Sequence, residues 1–206
     1  HKFVDDIEVR EDGGTPAFLQ TIRIALCINL KEEMGTANIM RREEELLDTV
    51  WSRLGPIENL HILAAEHKHR LGVVSFYIDG LHYNIGVKML NDKFGIQTRG
   101  GCSCAGTYGH YLLNLDSHTS SEISQMIDKG DCSTRPGWIR MSVHPTMTNA
   151  ELNEILDGII ALAQNYNSWM KDYTVDYATN SVKHHNETSS DNLKDKMDNL
   201  LEMSLT

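Results

Sequence analysis

Hydrophobic positions recur at helical spacing in the first quarter of the chain and at strand spacing after it, and that change of period organises the sequence. Phe18, Ile22, Ala25, Leu26 and Leu30 share one helical repeat. Thr15 is placed to cap the helix they predict, Pro16 fits its first turn, and Gly35 ends it. A second helix is predicted over 37–54, apolar at Ile39, Met40, Leu46, Leu47, Val50 and Trp51, with Gly55-Pro56 as its stop. Residues 60–65 are short and apolar, and 71–78 (LGVVSFYI) are rich in β-branched and aromatic residues, so both read as strands. A helix is predicted over 83–94, then a short strand over 95–98 running into a loop from Arg99 to Gly109. Beyond it come a helix over 120–129 capped by Ser120 or Ser121, a strand over 137–144 (GWIRMSVH), and a helix over 148–165 with Glu151 in its first turn.

Strands alternating with helices over 36–166 predict an α/β or α+β domain, with a small sheet backed by helices. Residues 1–35 form a separate leading segment of loop and helix. From about residue 167 the composition turns polar, and 167–206 reads as a tail with one weakly amphipathic stretch from about Leu193 to Leu205. No internal repeat is visible.

Charge and cysteine usage narrow the classes. Among the 206 residues, 29 acids face 19 bases, a formal net charge of −10. That balance argues against nucleic acid, whose phosphates need clustered Lys and Arg. The most apolar stretch, 17–30, is interrupted by Gln20, Arg23 and Asn29 and falls short of the ~18 apolar residues of a membrane span. The N-terminus lacks a signal-peptide pattern. Two of the four cysteines, Cys102 and Cys104, are one residue apart, which suits reactive thiols or metal ligands better than a secreted disulfide framework. A reducing, cytoplasmic compartment is expected.

Three constellations could carry chemistry. The first is Arg99-Gly-Gly-Cys-Ser-Cys104-Ala-Gly, where two glycines permit tight turns and an arginine favours a nearby thiolate. It reads either as a nucleophile loop or as a loop whose cysteines are merely small and half-buried. A zinc site from Cys102, Cys104, Cys132 and one of His110 or His144 is a further option, although Cys-x-Cys is not a standard knuckle spacing. The second is Glu11-Asp-Gly-Gly-Thr-Pro16, either a plain helix start or a phosphate contact. The third is Arg140, a charge in an otherwise apolar strand, which needs either a structural carboxylate or a substrate carboxylate held by two prongs. His82, His110 and His144 read as surface or core histidines, and His184-His185 as solvated tail residues.

In this order, the three constellations resemble the C-terminal half of class V aminotransferases, most closely the cysteine desulfurase branch, over about residues 4–166. The resemblance implies the small C-terminal domain of a fold-type-I enzyme that uses pyridoxal phosphate and acts as a homodimer. Thr15, with Gly14, falls on the segment that reaches the cofactor phosphate of the other subunit. Cys104, five residues after Arg99, falls on the persulfide-carrying cysteine. Arg140 falls on the arginine that binds the carboxylate of the amino-acid substrate, with Arg99 assisting. A sulfur-acceptor protein is the implied partner.

The family's anchoring lysine, pyridine-binding aspartate and ring-stacking histidine are not recognisable. His1-Lys2-Phe3 echoes the family's histidine–lysine pair, yet what should follow it is absent, so the anchor is expected outside this chain and the isolated chain is expected to be inactive. Cys102 departs from the family pattern, and so does Gly106-Thr107, where a proline often stands. A transaminase or lyase of the same fold, and a cysteine-based zinc or partner-binding module, are the alternatives.

Overall fold

A computed structural model of the chain describes residues 3–104 and 106–186. The chain divides into two compact units, 1–42 and 43–206.

In the first unit, α1 (Ile7–Glu11) is capped by Asp6, whose carboxylate accepts the N–H groups of Glu8 and Val9. After it the chain turns at Asp12-Gly13-Gly14, where the Asp12 carboxylate accepts the Gly14 N–H at 3.1 Å and Gly14 takes a φ of +130°. Helix α2 (Phe18–Met34) follows. Its N-cap is Ala17, with no side-chain cap bond, so the expected cap by Thr15 does not form and the helix starts later than the sequence predicts. Leu19, Ile24, Leu26 and Leu30 are all more than half exposed, and α2 buries none of its residues. A helix that is apolar on every side belongs in an interior.

Helix α3 (Thr36–Leu54) leads into the second unit, where Leu46, Leu47, Val50 and Leu54 on one stripe are buried. Strands β1 (Leu60–Ile62) and β2 (Val73–Ile78) pair antiparallel. Then come α4 (Tyr83–Phe94), β3 (Arg99–Gly101), α5 (Gly106–Leu112), α6 (Ser117–Asp128), β4 (Trp138–Ser142) and α7 (Asn149–Trp169). The sheet order is β1-β2-β4-β3, antiparallel throughout. Alternation places Leu60, Val74, Phe76, Ile78, Ile139 and Met141 in one core with Ile85, Met89 and Leu90 of α4 and Leu152, Leu156, Ile159 and Leu162 of α7. Burying side chains of this kind contributes roughly 1.5–3 kcal/mol each. The fold is therefore the expected small sheet backed by helices. Helix α7 opens with a capping box, Thr148 and Glu151 bonding each other's backbone N–H.

Several boundaries differ from the sequence reading. The strand expected over 95–98 lies instead at Arg99–Gly101, because the residues that align against β4 are the arginine and the two glycines. Helix α6 begins earlier than predicted, with Asp116 rather than a serine as its cap. Helix α5 begins inside the expected loop and runs past its end, to Leu112. The polar stretch from 167 is not a bare tail where it is described. Helix α7 continues to Trp169, a 3-10 turn covers Met170–Asp172, and β5 (Tyr173–Asp176) and β6 (Ser181–His184) form a hairpin with Tyr173 in the core. His184 meets the Tyr173 ring edge-on, and His185 bonds Thr174, so neither is a free tail residue. The amphipathic stretch 193–205 and Lys2 lie outside the described residues.

Candidate active site

The face of the sheet opposite the core holds the candidate site residues. Ile139 and Met141 point inward, so Arg140 between them projects from the other face, half-buried. Arg99 on β3 is its direct partner across the strands, and Ser75 of β2 is its partner on the other side. Directly opposed residues of an antiparallel pair share a face, with Cβ atoms about 4.5–5.5 Å apart. Two arginines therefore leave one face of the sheet at neighbouring strand positions, and neither makes an ion pair among the described residues. Like charges in this position repel unless an anion lies between them.

Beyond β3 the chain bends sharply. Gly101, Ser103 and Cys104 take φ values of +105°, +52° and +61°. Left-handed backbone at two successive non-glycine residues stores strain that surrounding structure must hold, and such residues cluster at functional sites. The bend returns Cys104 toward Arg99, whose Nη2 lies 3.9 Å from Cys104 Sγ. Cys104 is exposed. Arg99 and Cys104, five residues apart in the sequence, are thus brought together by the fold.

Tyr83 at the start of α4 holds this arrangement from behind. A Cβ on Gly100 would lie 2.9 Å from its ring, and one on Gly137 2.5 Å from the ring and 2.9 Å from the Gly101 backbone. Only glycine allows β3 and the start of β4 to close around the tyrosine. Asn180 in the β5–β6 hairpin donates to the Tyr83 hydroxyl at 3.3 Å. Of these supporting residues only the two glycines of the cysteine motif stood out in the sequence; Tyr83, Gly137 and Asn180 did not.

The second cysteine is held differently. Cys102 Sγ donates to the Pro136 carbonyl at 2.9 Å, and burial pushes its thiol up from the ordinary value, partly offset by Arg135. A cavity of about 500 Å3 is lined by Arg135, Pro136 and Gly137, and also by His82 and Tyr177. Burial lowers the His82 pKa against the pull of the nearby Cys132 carbonyl, and Arg135 lowers it further, which favours the neutral ring. Its Nδ1 accepts the Asn84 N–H and caps α4, a structural use of a histidine read as surface or core.

The alternative zinc set is not assembled. Cys132 is buried, with its backbone bonded to Tyr177; His110 bonds Ser120 and His144 bonds Thr146. Among the described residues no three His, Cys, Asp or Glu side chains come together to hold a metal. Gly14 and Thr15 lie in the first unit, both exposed. Gly14's N–H is used by Asp12, whereas the Thr15 hydroxyl makes no hydrogen bond among the described residues.

The family model for aminotransferase class V matches residues 2–155. The chain belongs to the class V aminotransferase family. Among curated relatives, a probable cysteine desulfurase of Synechocystis sp. is 30% identical over 106 residues, which is 50% of this chain and 25% of the relative. A probable cysteine desulfurase of Staphylococcus aureus (strain Mu50) is 27% identical over 132 residues, 60% of this chain and 32% of the relative. An apo cysteine desulfurase of Thermococcus onnurineus NA1 superposes with a TM-score of 0.59 at 25% identity, over 80% of this chain and 36% of that one. This class V chain thus spans about a quarter to a third of the length of its relatives, and its fold is the one seen in that part of fold-type-I enzymes. Among the described residues no helix is long and apolar enough to cross a membrane.

Proposed function

We propose that this chain is the sulfur-carrying portion of a pyridoxal-phosphate-dependent cysteine desulfurase of the cytoplasm, in which Cys104 is the nucleophile. The observation that carries the reading is the pairing of Arg99 with Arg140 on the open face, with the Cys104 sulfur 3.9 Å from Arg99. Two adjacent cations suit the carboxylate of an amino acid, and the exposed thiol beside them suits attack on that amino acid's side-chain sulfur.

In this reading Arg140, assisted by Arg99, fixes the substrate by its carboxylate. Cys104 attacks the sulfur of L-cysteine; the new S–S bond forms as the substrate C–S bond breaks, leaving alanine and a persulfide on Cys104 for a sulfur-acceptor protein. Pyridoxal phosphate, anchored on a lysine outside this chain, supplies the electron sink that makes the substrate C–S bond cleavable. Residues present here fit part of that group. The uncapped N-terminus of α2 presents free N–H groups, and the Thr15 hydroxyl, with Gly14 beside it, precedes them. Thr15 would meet the phosphate bound in the other subunit of a homodimer. The exposed apolar surface of α2 supports a chain that is completed by further polypeptide.

The test is sulfide and alanine production from L-cysteine by the longer protein that carries the anchoring lysine, with Cys104→Ser beside it. Loss of sulfide release in the variant supports the reading, and the isolated 206-residue chain is expected to be inactive in the same assay. Turnover that is indifferent to Cys104→Ser sinks it in favour of a transaminase or lyase of the same fold.

A further inference from the structure

We propose that Cys102 is a second sulfur-handling thiol of this site, one that attacks the persulfide on Cys104, closes a Cys102–Cys104 disulfide and expels hydrosulfide. The inference rests on the reading of Cys104 as persulfide carrier and adds a fate for that persulfide which needs no acceptor protein.

Both thiols are free, and they sit on one bent segment in unlike surroundings. Cys104 is open to solvent and faces Arg99, whereas Cys102 is half-buried with its S–H on the Pro136 carbonyl. The bend decides whether they can meet. In an extended strand, residues two apart point the same way but are stretched apart. With Ser103 at φ +52°, the segment turns instead. A single helix-like turn of either hand holds Cα atoms two apart at about 5.4 Å. That lies inside the separation a disulfide needs, roughly 4.4–6.8 Å. Cys102 must leave Pro136 and change rotamer to reach its neighbour.

The chemistry balances without an added oxidant. Cys102 gives its proton to solvent, and its sulfur bonds to Sγ of Cys104. The persulfide S–S bond breaks, and its electron pair leaves with the outer sulfur as hydrosulfide. That sulfur gains two electrons, and the two cysteine sulfurs lose them in forming the disulfide. A dithiol reductant reopens the pair for the next cycle. Burial keeps Cys102 protonated while Cys104 takes up sulfur, so the two thiols do not compete for substrate. Once deprotonated, a thiol of raised pKa is the stronger nucleophile, and hydrosulfide is a good leaving group. The Ser103 hydroxyl between them is buried with no partner among the described residues, so no hydrogen bond locks the intervening residue in its bend.

The experiment loads the reduced full chain anaerobically with one equivalent of inorganic polysulfide, quenches with iodoacetamide and maps the peptides, which separates Cys27 and Cys132 from the loop. Wild type is expected to yield a loop peptide lighter by two hydrogens, the Cys102–Cys104 disulfide, with matching free sulfide. Cys102→Ser, which keeps a donor for Pro136, is expected to retain one extra sulfur on Cys104 and to release no sulfide beyond what the polysulfide itself leaves on transfer. A wild-type persulfide as long-lived as that of Cys102→Ser overturns the proposal, and so does the extra sulfur resting on Cys102. Failure of the underlying desulfurase reading looks different: polysulfide still closes the disulfide, while L-cysteine with the cofactor-loaded longer protein leaves no persulfide on Cys104 of Cys102→Ser.

Discussion

Arg99 and Arg140 are direct cross-strand partners on β3 and β4, so two guanidinium groups share the open face of the sheet with no carboxylate between them among the described residues. A purely structural arginine in a strand would be matched by an acid. An unmatched pair trades stability for anion binding. Arg99→Gln is therefore expected to leave the fold as stable or to stabilise it by up to about 1 kcal/mol in urea unfolding at low salt. The gain should shrink as salt screens the repulsion. A clear loss of stability would mean that Arg99 has a structural partner.

Arg140→Gln and Arg140→Lys separate charge from geometry. If Arg140 grips a carboxylate with both prongs, lysine does not replace it. Losing a charged hydrogen bond of this kind costs about 1.5–3 kcal/mol, a fall of roughly ten- to a hundredfold in kcat/KM for L-cysteine in the cofactor-loaded longer protein. Full activity with lysine would show that a point charge suffices.

Thiol reactivity should rank by exposure. Cys104 and Cys27 are exposed, Cys102 is half-buried and Cys132 is buried. Iodoacetamide at neutral pH, read by peptide mass, is expected to label Cys104 and Cys27 first and Cys132 last. Cys102 should respond differently to pH: burial raises its pKa, so its thiolate appears only above the ordinary cysteine range and its labelling should climb there. Early labelling of Cys102 at neutral pH would contradict its hold on Pro136.

Gly137→Ala places a methyl group 2.5 Å from the Tyr83 ring and 2.9 Å from the Gly101 backbone. Overpacking of this kind costs about 1–3 kcal/mol, measurable by denaturant unfolding. Tyr83→Leu should relieve part of the clash, so the double-mutant cycle is expected to be non-additive. Additive losses would place the strain elsewhere.

The capping box of α7 gives a pH-dependent test. Thr148→Ala is expected to cost about 1 kcal/mol. Hydrogen bonds from the Thr148 backbone and hydroxyl hold the Glu151 carboxyl below its ordinary range. A carboxylate depressed in the folded state lends stability that is present above its unfolded pKa and lost as pH falls through the folded one. The wild-type advantage over Glu151→Gln should therefore fade on acidification below the ordinary glutamate range, in paired unfolding curves taken across that range.

Long amphipathic elements were legible before any coordinates. The stripe Leu46, Leu47, Val50 names the buried side of α3, and Thr148 with Glu151 marks the start of α7 in the letters alone. Short elements were not. Strand β3 is Arg-Gly-Gly, which has no strand propensity of its own and exists only because β4 supplies its hydrogen bonds. The β5–β6 hairpin reads as polar tail because its ordering depends on burying Tyr173 against a core far away in sequence.

The sequence by itself determined that a cysteine loop, an arginine and an aminotransferase-like helix start occur in this order, since motifs and periodicity are local properties of the chain. Only the tertiary structure decided that Arg99 faces Arg140, that Cys104 rather than Cys102 lies open beside Arg99, and that Cys102 is turned toward Pro136. Register across a sheet and the burial of a side chain depend on residues tens of positions apart, and no local pattern encodes which of two adjacent thiols the fold will cover.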